Sequence, residues 1–201
     1  MDLAKIFELL VPVARQIDGG IEPYLPVIAA HTTPLLCKAG DRFPNEEHPE
    51  KLAAFVVDGV FRVYSLDNTG KESTIRFAAE GEFTYFADDY KELNPNAVYH
   101  WEAMTDVTLL TWKDKDLDAL VREIPGWYMF TLKITEIIIY RLLIERAEMF
   151  NDDATTRYLK FAERYPSTIA RVPLRHIANY LGIAPQSLSR IRHQLSISGK
   201  N

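Results

Sequence analysis

The chain has 201 residues, of which 47% are apolar, 25% charged and 11% aromatic, which is enough for one or two packed domains and excludes a disordered or collagen-like chain. Its single cysteine, Cys37, excludes an intrachain disulfide. The most apolar run, Ile134 to Ile144, is interrupted by Glu136 and Arg141 and is shorter than the roughly 20 residues a bilayer span requires. No charged-apolar-small leader precedes Asp2, so a soluble protein of the reducing cytoplasm is expected. Charge is uneven along the chain, with a net −10 over residues 1–150 and +5 over residues 151–201. An acidic body with a basic tail predicts two tasks, the second involving phosphate.

In chain order, the first 20 residues are apolar at helical spacing and predict a cap helix. From Pro26 to Trp112 short β-rich segments alternate with turns, with glycines at 40, 59, 70 and 81, which predicts an antiparallel barrel or roll. Asp58-Gly59 lies between two apolar runs and predicts a tight hairpin; Asp67-Asn68-Thr69-Gly70 predicts the next turn. After Trp112 the apolar period changes from two to 3.6. A short helix is expected over 113–122, then, beyond Pro125-Gly126, a long one from Trp127 to Phe150, roughly 36 Å in length. Its apolar residues, among them Trp127, Phe130, Ile134, Ile137, Ile138 and Ile144, occupy more than one face. Either a second copy of the same helix covers the extra face, or the helix is buried within one chain. Asn151-Asp152-Asp153 predicts a hinge and an N-cap for a helix that ends before Pro166.

Leu174 to Leu195 (LRHIANYLGIAPQSLSRIRHQL) is the most specific stretch. A small residue, Ala178, falls where two helices would cross, Gly182 falls in the turn, and Ile177, Leu181, Ile183, Leu188 and Ile191 fall where they lock one helix to the other. Pro185 suits the first turn of the second helix. This spacing predicts a helix-turn-helix. The outward residues of its second helix include Gln186, Ser189, Arg190 and His193, none of them acidic and all able to donate to base edges. Arg171, Arg175, Ser187 and Arg192 are candidates for phosphate contacts. There is no nucleophile elbow, phosphate loop, zinc-ligand pattern or catalytic carboxylate pair, so no enzymatic activity is expected. A receptor module whose helical tail contacts protein rather than DNA is the second reading.

Gly40, Gly59, Gly70 and Gly81-Glu82 in the roll, with Leu181-Gly182-Ile183 and Leu188-Ser189-Arg190-Ile191 in the head, resemble the Crp/Fnr family of bacterial transcription regulators over nearly the whole chain. The resemblance implies an α+β fold. Its parts are an N-terminal antiparallel β-roll (double-stranded β-helix, cyclic-nucleotide-binding-like) with an N-terminal helix over 1–125, a dimerisation helix over 126–150 and an all-α helix-turn-helix domain over 151–201. It also implies a homodimer on pseudo-palindromic double-stranded DNA, with RNA polymerase as a further partner. The family's guanine-contacting arginine matches Arg190, Ser189 matches the serine of the Fnr-like branch, and Gln186 stands where a glutamate is usual.

In cyclic-nucleotide-binding members, the glycine-glutamate pair is followed by an Arg-Ser or Arg-Thr pair that holds the phosphate. Here the matching positions are Ala97-Val98, which offer an anion neither charge nor hydroxyl. Cyclic AMP and cyclic GMP are therefore expected not to bind. Gly81, Glu82, Phe83, Ala97 and Val98 remain a candidate pocket for an effector that is unidentified or absent, and the surrounding aromatic residues fit either a pocket or a packed roll. One cysteine is too few for an iron-sulfur cluster. The five histidines are scattered and suggest no metal site, although haem is left open. Thr168 to Val172 and Ser196 to Asn201 are too short for wing hairpins, so few phosphate contacts beyond the head are expected.

Overall fold

A computed structural model describes residues 3–43, 52–86 and 99–198. Helix α1 (Leu3–Asp18), a 3-10 turn (Gly19–Tyr24) and α2 (Leu25–Ala30) precede eight strands. These are β1 (Thr33–Cys37), β2 (Arg42–Phe43), β3 (Leu52–Asp58), β4 (Phe61–Leu66), β5 (Glu72–Ala78), β6 (Phe83–Phe86), β7 (Tyr99–Ala103) and β8 (Val107–Lys113). They form two antiparallel four-stranded sheets, ordered β1-β8-β3-β6 and β2-β7-β4-β5. Helices α3 (Asp114–Glu123), α4 (Trp127–Asn151), α5 (Ala154–Arg164), α6 (Pro166–Arg171), α7 (Leu174–Tyr180) and α8 (Pro185–Ser198) follow.

The unbroken apolar run of β3 has a simple cause, because both of its faces are covered. Ala54 and Val56 join Phe61, Trp101 and Leu109 in the core between the two sheets. Phe55 and Val57 point the other way and join Leu110 and Trp112 beneath the helices, where Leu10, Ile28, Leu120, Trp127 and Phe130 meet them. Burial pushes the Cys37 thiol up to about 12, with Asp41 adding to the shift, which makes it a packing residue rather than a nucleophile.

The turn at Asp58-Gly59 is not a hairpin. β3 pairs with β6 and β8, whereas β4 pairs with β5 and β7, so these two residues carry the chain around a corner from one sheet to the other. The register shifts at Val56/Asp58. The corner amides bond away from each other, Gly59 N to Glu80 Oε1 (2.8 Å) and Val60 N to Thr105 Oγ1 (3.1 Å). Gly59 has φ +98°, and a Cβ there would lie 2.5 Å from the Asp106 carbonyl oxygen. The turn expected at Asp67 to Gly70 joins β4 to β5 as a hairpin, closed by Asp67 N to Lys71 O at 3.0 Å.

Helix α4 has 25 residues and starts after Gly126, whose φ is +86°. Trp127 and Phe130, expected on a dimer face, lie instead in the chain's own core at 5% and 1% exposure. The 3.6-residue period places them on the same side as Ile134 and Ile138, which also pack toward the roll. The opposite side, with Leu132, Ile139, Leu143 and Phe150, is exposed. Asp153 caps α5 by accepting from Thr156 N at 2.7 Å.

The corner gives a direct test. Gly59→Ala and Gly70→Ala both place a side chain at positive φ, but a Cβ at Gly70 meets open space. Gly70→Ala should cost about 1 kcal/mol and Gly59→Ala about 2 kcal/mol more; urea midpoints of the purified variants check this, and equal losses would mean the corner can move aside.

Candidate nucleic-acid interface

Helices α7 and α8 are locked by the residues that the spacing singled out. Ala178 is fully buried at their crossing, and Ile177, Leu181, Leu188 and Ile191 are buried around it. Gly182 takes φ +65° in the turn, and Ile183 N closes the end of α7 on Ala178 O at 3.0 Å. The same cluster takes in Tyr158, Phe161 and Tyr165 from α5 and its end, and Val60, Phe77 and Ala79 from the roll. One core therefore crosses from the head into the second sheet.

On α8, Gln186, Ser189, Arg190 and His193 are exposed. Their spacing of i, i+3, i+4 and i+7 puts them on one face. Half-buried Ser187 and exposed Arg192 flank that face on opposite sides. Helix α8 contains no acidic residue, so nothing on this face would repel a phosphate or an acceptor base edge.

The other two phosphate candidates are placed differently. Arg171 is tied to the roll, with Nη2 donating to Glu80 Oε1 at 2.5 Å and Nε to Ser167 O at 3.1 Å. Ser167 Oγ also donates to Glu80, at 3.0 Å. Partial burial pushes the Glu80 carboxyl up, but the bonds from Arg171, the Gly59 amide and Ser167 outweigh it and hold the group below the usual carboxylate range. Arg171 therefore joins head to roll in this arrangement instead of facing a duplex. Arg175 is exposed, and its Nε lies 3.1 Å from His176 Nε2 at the same seam.

In the roll, Gly81, Glu82 and Phe83 line an open pocket of about 370 Å³ whose other walls are α1 and α4. Ala97 and Val98 lie outside the described residues. Glu82 brings a negative charge, and the cations come from positions that the sequence did not assign to this pocket. Arg141 of α4 bonds Glu82, and Arg76 of β5 donates from Nη2 to Phe83 O at 2.9 Å while lying 3.8 Å from Glu82 Oε2. Arg141 had a visible signal, since a cation inside an apolar helical run needs a partner. Arg76 had none, because only the fold brings β5 beside α4. Among the described residues, no group of three or more histidine, cysteine or carboxylate side chains is placed to hold a metal ion, and no helix is long and apolar enough to cross a membrane.

No family model and no curated protein matches the chain. Solved structures do. FixK2 from Bradyrhizobium japonicum aligns at 19% identity over 84% of this chain and 86% of its own, with a TM-score of 0.65. A CooA variant from Carboxydothermus hydrogenoformans aligns at 21% identity over 87% and 80%, with a TM-score of 0.60. A protein described as a transcriptional regulator of the crp/fnr family, from Eubacterium rectale, aligns at 16% identity over 87% and 82%, with a TM-score of 0.63. This is the Crp/Fnr fold. At these identities the likeness concerns architecture, and the Crp/Fnr fold accounts for the order of roll, long helix and helix-turn-helix in this chain.

The head makes a second test available. Ala178→Leu should separate α7 from α8 and cost about 1 to 3 kcal/mol, whereas Ala184→Leu, at an exposed position in the turn, should be near neutral. Thermal melts of the two variants distinguish a locked crossing from a loose helical pair.

Proposed function

We propose that the chain is a sequence-specific DNA-binding transcriptional regulator that acts as a homodimer in the cytoplasm and has no catalytic activity. The carrying observation is the α8 face, where four exposed polar side chains without an acidic neighbour stand on a helix whose partner is locked by a buried alanine. A helix with its reading residues near its N-terminus fits the major groove. Arg190 suits a guanine through O6 and N7, and Gln186 suits an adenine through N6 and N7. Arg175, Ser187 and Arg192 are the phosphate contacts of this reading. Double-stranded DNA of pseudo-palindromic sequence is the partner, and RNA polymerase is met beside it.

The homodimer reading is supported by the uncovered side of α4. Met129, Leu132, Ile139, Leu143 and Phe150 are exposed apolar residues at spacings of 3, 7, 4 and 7, which fit a helix seam whose two remaining positions are the charged Glu136 and Arg146. Ile137 and Ile144 are exposed on its flank, whereas Trp127, Phe130, Ile134 and Ile138 serve the roll. Pairing two copies of α4 would bury this stripe and set two α8 helices about one DNA turn apart, roughly 34 Å. The roll is the sensor of an effector still to be identified, or scaffolds a dimer that needs none. Cyclic AMP and cyclic GMP are not effectors in this reading, because Ala97 and Val98 bring no cation and Arg76 and Arg141 are already directed at the Glu82 region.

Site selection from a random duplex library with the ligand-free protein tests the reading, and enrichment of a two-fold symmetric site is the expected result. No enrichment, with or without cyclic AMP, would favour the receptor reading; enrichment only with cyclic AMP would overturn the exclusion of that nucleotide. Arg190→Ala should lose about 1 to 3 kcal/mol of specific binding and relax preference at one base pair per half-site; uniform weakening on every sequence would make Arg190 a phosphate contact. Leu143→Asp should give a monomer by sedimentation and lose half-site cooperativity. A variant that stays dimeric would place the interface elsewhere.

A further inference from the structure

Helix α7 rests on the outer edge of the second sheet through two kinds of contact. One is neutral: the Asn179 side chain continues the β ladder, with Oδ1 accepting from Thr74 N at 2.5 Å and Nδ2 donating to Glu72 O at 2.9 Å. The other is charged. Arg62 of β4, its side chain only 2% exposed, holds Glu72 of β5 at 2.7 Å and Glu102 of β7 at 2.5 Å, both through Nη2. Its Nη1 lies 2.6 Å from His176 Nδ1 on α7. The other ring nitrogen of His176 faces Arg175 Nε at 3.1 Å.

We propose that His176 is a pH-sensitive latch between the reading head and the roll: the neutral ring holds α7 against β4 and β5, and protonation releases it. A neutral imidazole has one acceptor nitrogen and one N–H. Two guanidinium donors, Arg62 Nη1 and Arg175 Nε, face that single acceptor; in the tautomer with Nδ1 unprotonated the buried Arg62 takes it at 2.6 Å and depends on it for one of its donors, while exposed Arg175 turns to solvent. An imidazolium has no acceptor, so protonation turns an accepting contact into two N–H groups facing each other and lodges the new charge between two cations.

The charged groups around the ring are Arg62, Glu72 and Glu102 from the sheet and Arg175 from its own helix. The two carboxylates engage Nη2, whereas the ring contacts Nη1. Burial, then Arg62, then Arg175 hold the imidazole below its ordinary range, against a smaller opposing effect of Glu102 and Glu72. The docked head therefore binds fewer protons than the released head. Docking is complete above the ordinary histidine range and weakens as pH falls below it, with the ratio of released to docked chains rising by up to about tenfold per pH unit below about 6.5. The Glu80 carboxylate at the other tie, held below the usual range, keeps its charge through this window, and the Asn179 bonds carry no charge to lose.

Spin labels at Asn68→Cys, in the β4–β5 turn, and Ala184→Cys, in the head, report docking in the full chain, because the native Cys37 thiol is buried. The expected result is one narrow distance at pH 7.5, with a second, longer population at pH 5.5 that is absent from His176→Gln, whose amide oxygen can still accept from Arg62 and does not titrate. An unchanged wild-type distance at pH 5.5 overturns the proposal. So does release of His176→Gln with the wild-type midpoint, which would assign the titration to a carboxylate. If His176→Gln is undocked at pH 7.5, Arg175→Met decides: with one cation gone, release should require a lower pH, and an unchanged midpoint overturns the latch. The use of the latch in regulation rests on the DNA-binding reading; the distances are measured without DNA, so either can fail alone.

Discussion

A permanent charge taken out of water costs several kcal/mol unless its donors are met, and at Arg62, whose two terminal nitrogens find partners although its Nε does not, that requirement joins the two halves of the chain. The guanidinium lies across the Tyr64 ring at 4.2 Å from its centroid, and Tyr64 in turn stacks on His100. Two carboxylates of the roll take one of its terminal nitrogens, and a histidine of the helical head takes the other. Around this polar centre, Phe77 meets Phe161 and Tyr180 edge-on, so the seam combines charge with apolar packing. The head is consequently oriented by the roll, and whatever alters the roll or the seam alters the direction in which α8 points.

Helix α4 carries the complementary constraint. Being apolar on more than one face, it cannot satisfy them all against a single roll. The roll takes the side with Trp127, Phe130, Ile134 and Ile138. Farther along that same side, polar groups replace apolar ones where the helix leaves the strands and meets the head: Arg141 reaches Glu82, and Glu145 accepts from Tyr165 Oη at 2.6 Å and from Arg164 Nη1 at 3.3 Å. One rod thus touches the pocket beside Gly81, the seam of the head and the exposed apolar stripe. A shift of α4 along its axis would be felt at all three.

What could be read in the residues was what depends on short spacing. The helix-turn-helix was legible because the crossing needs a small residue, the turn needs positive φ and the lock needs apolar side chains, and all of these fall within 22 contiguous residues, Leu174 to Leu195. The ends of α4 were legible for the same reason, since Pro125-Gly126 and Asp153 act within one turn of the helix. Asp58-Gly59 was misread because the dipeptide specifies a tight reversal of the chain, whereas the choice between a hairpin and a corner is made by the distant partners Glu80 and Thr105. The faces of α4 were likewise undecided, because a helix apolar on more than one face has no intrinsic inside.

The sequence by itself determined the order of roll, rod and head, the locked pair α7 and α8 and the polar face of α8, since each rests on contacts within a few turns or strands, whereas the short helices α2 and α6 were not read from it. Only the tertiary structure decided which side of α4 is spent, that Arg171 serves Glu80, and that His176 lies between two arginines. The last two depend on pairs separated by 91 and 114 residues. Contacts over such spans arise when two sheets and a helical head close on one another, and no local pattern encodes the partner.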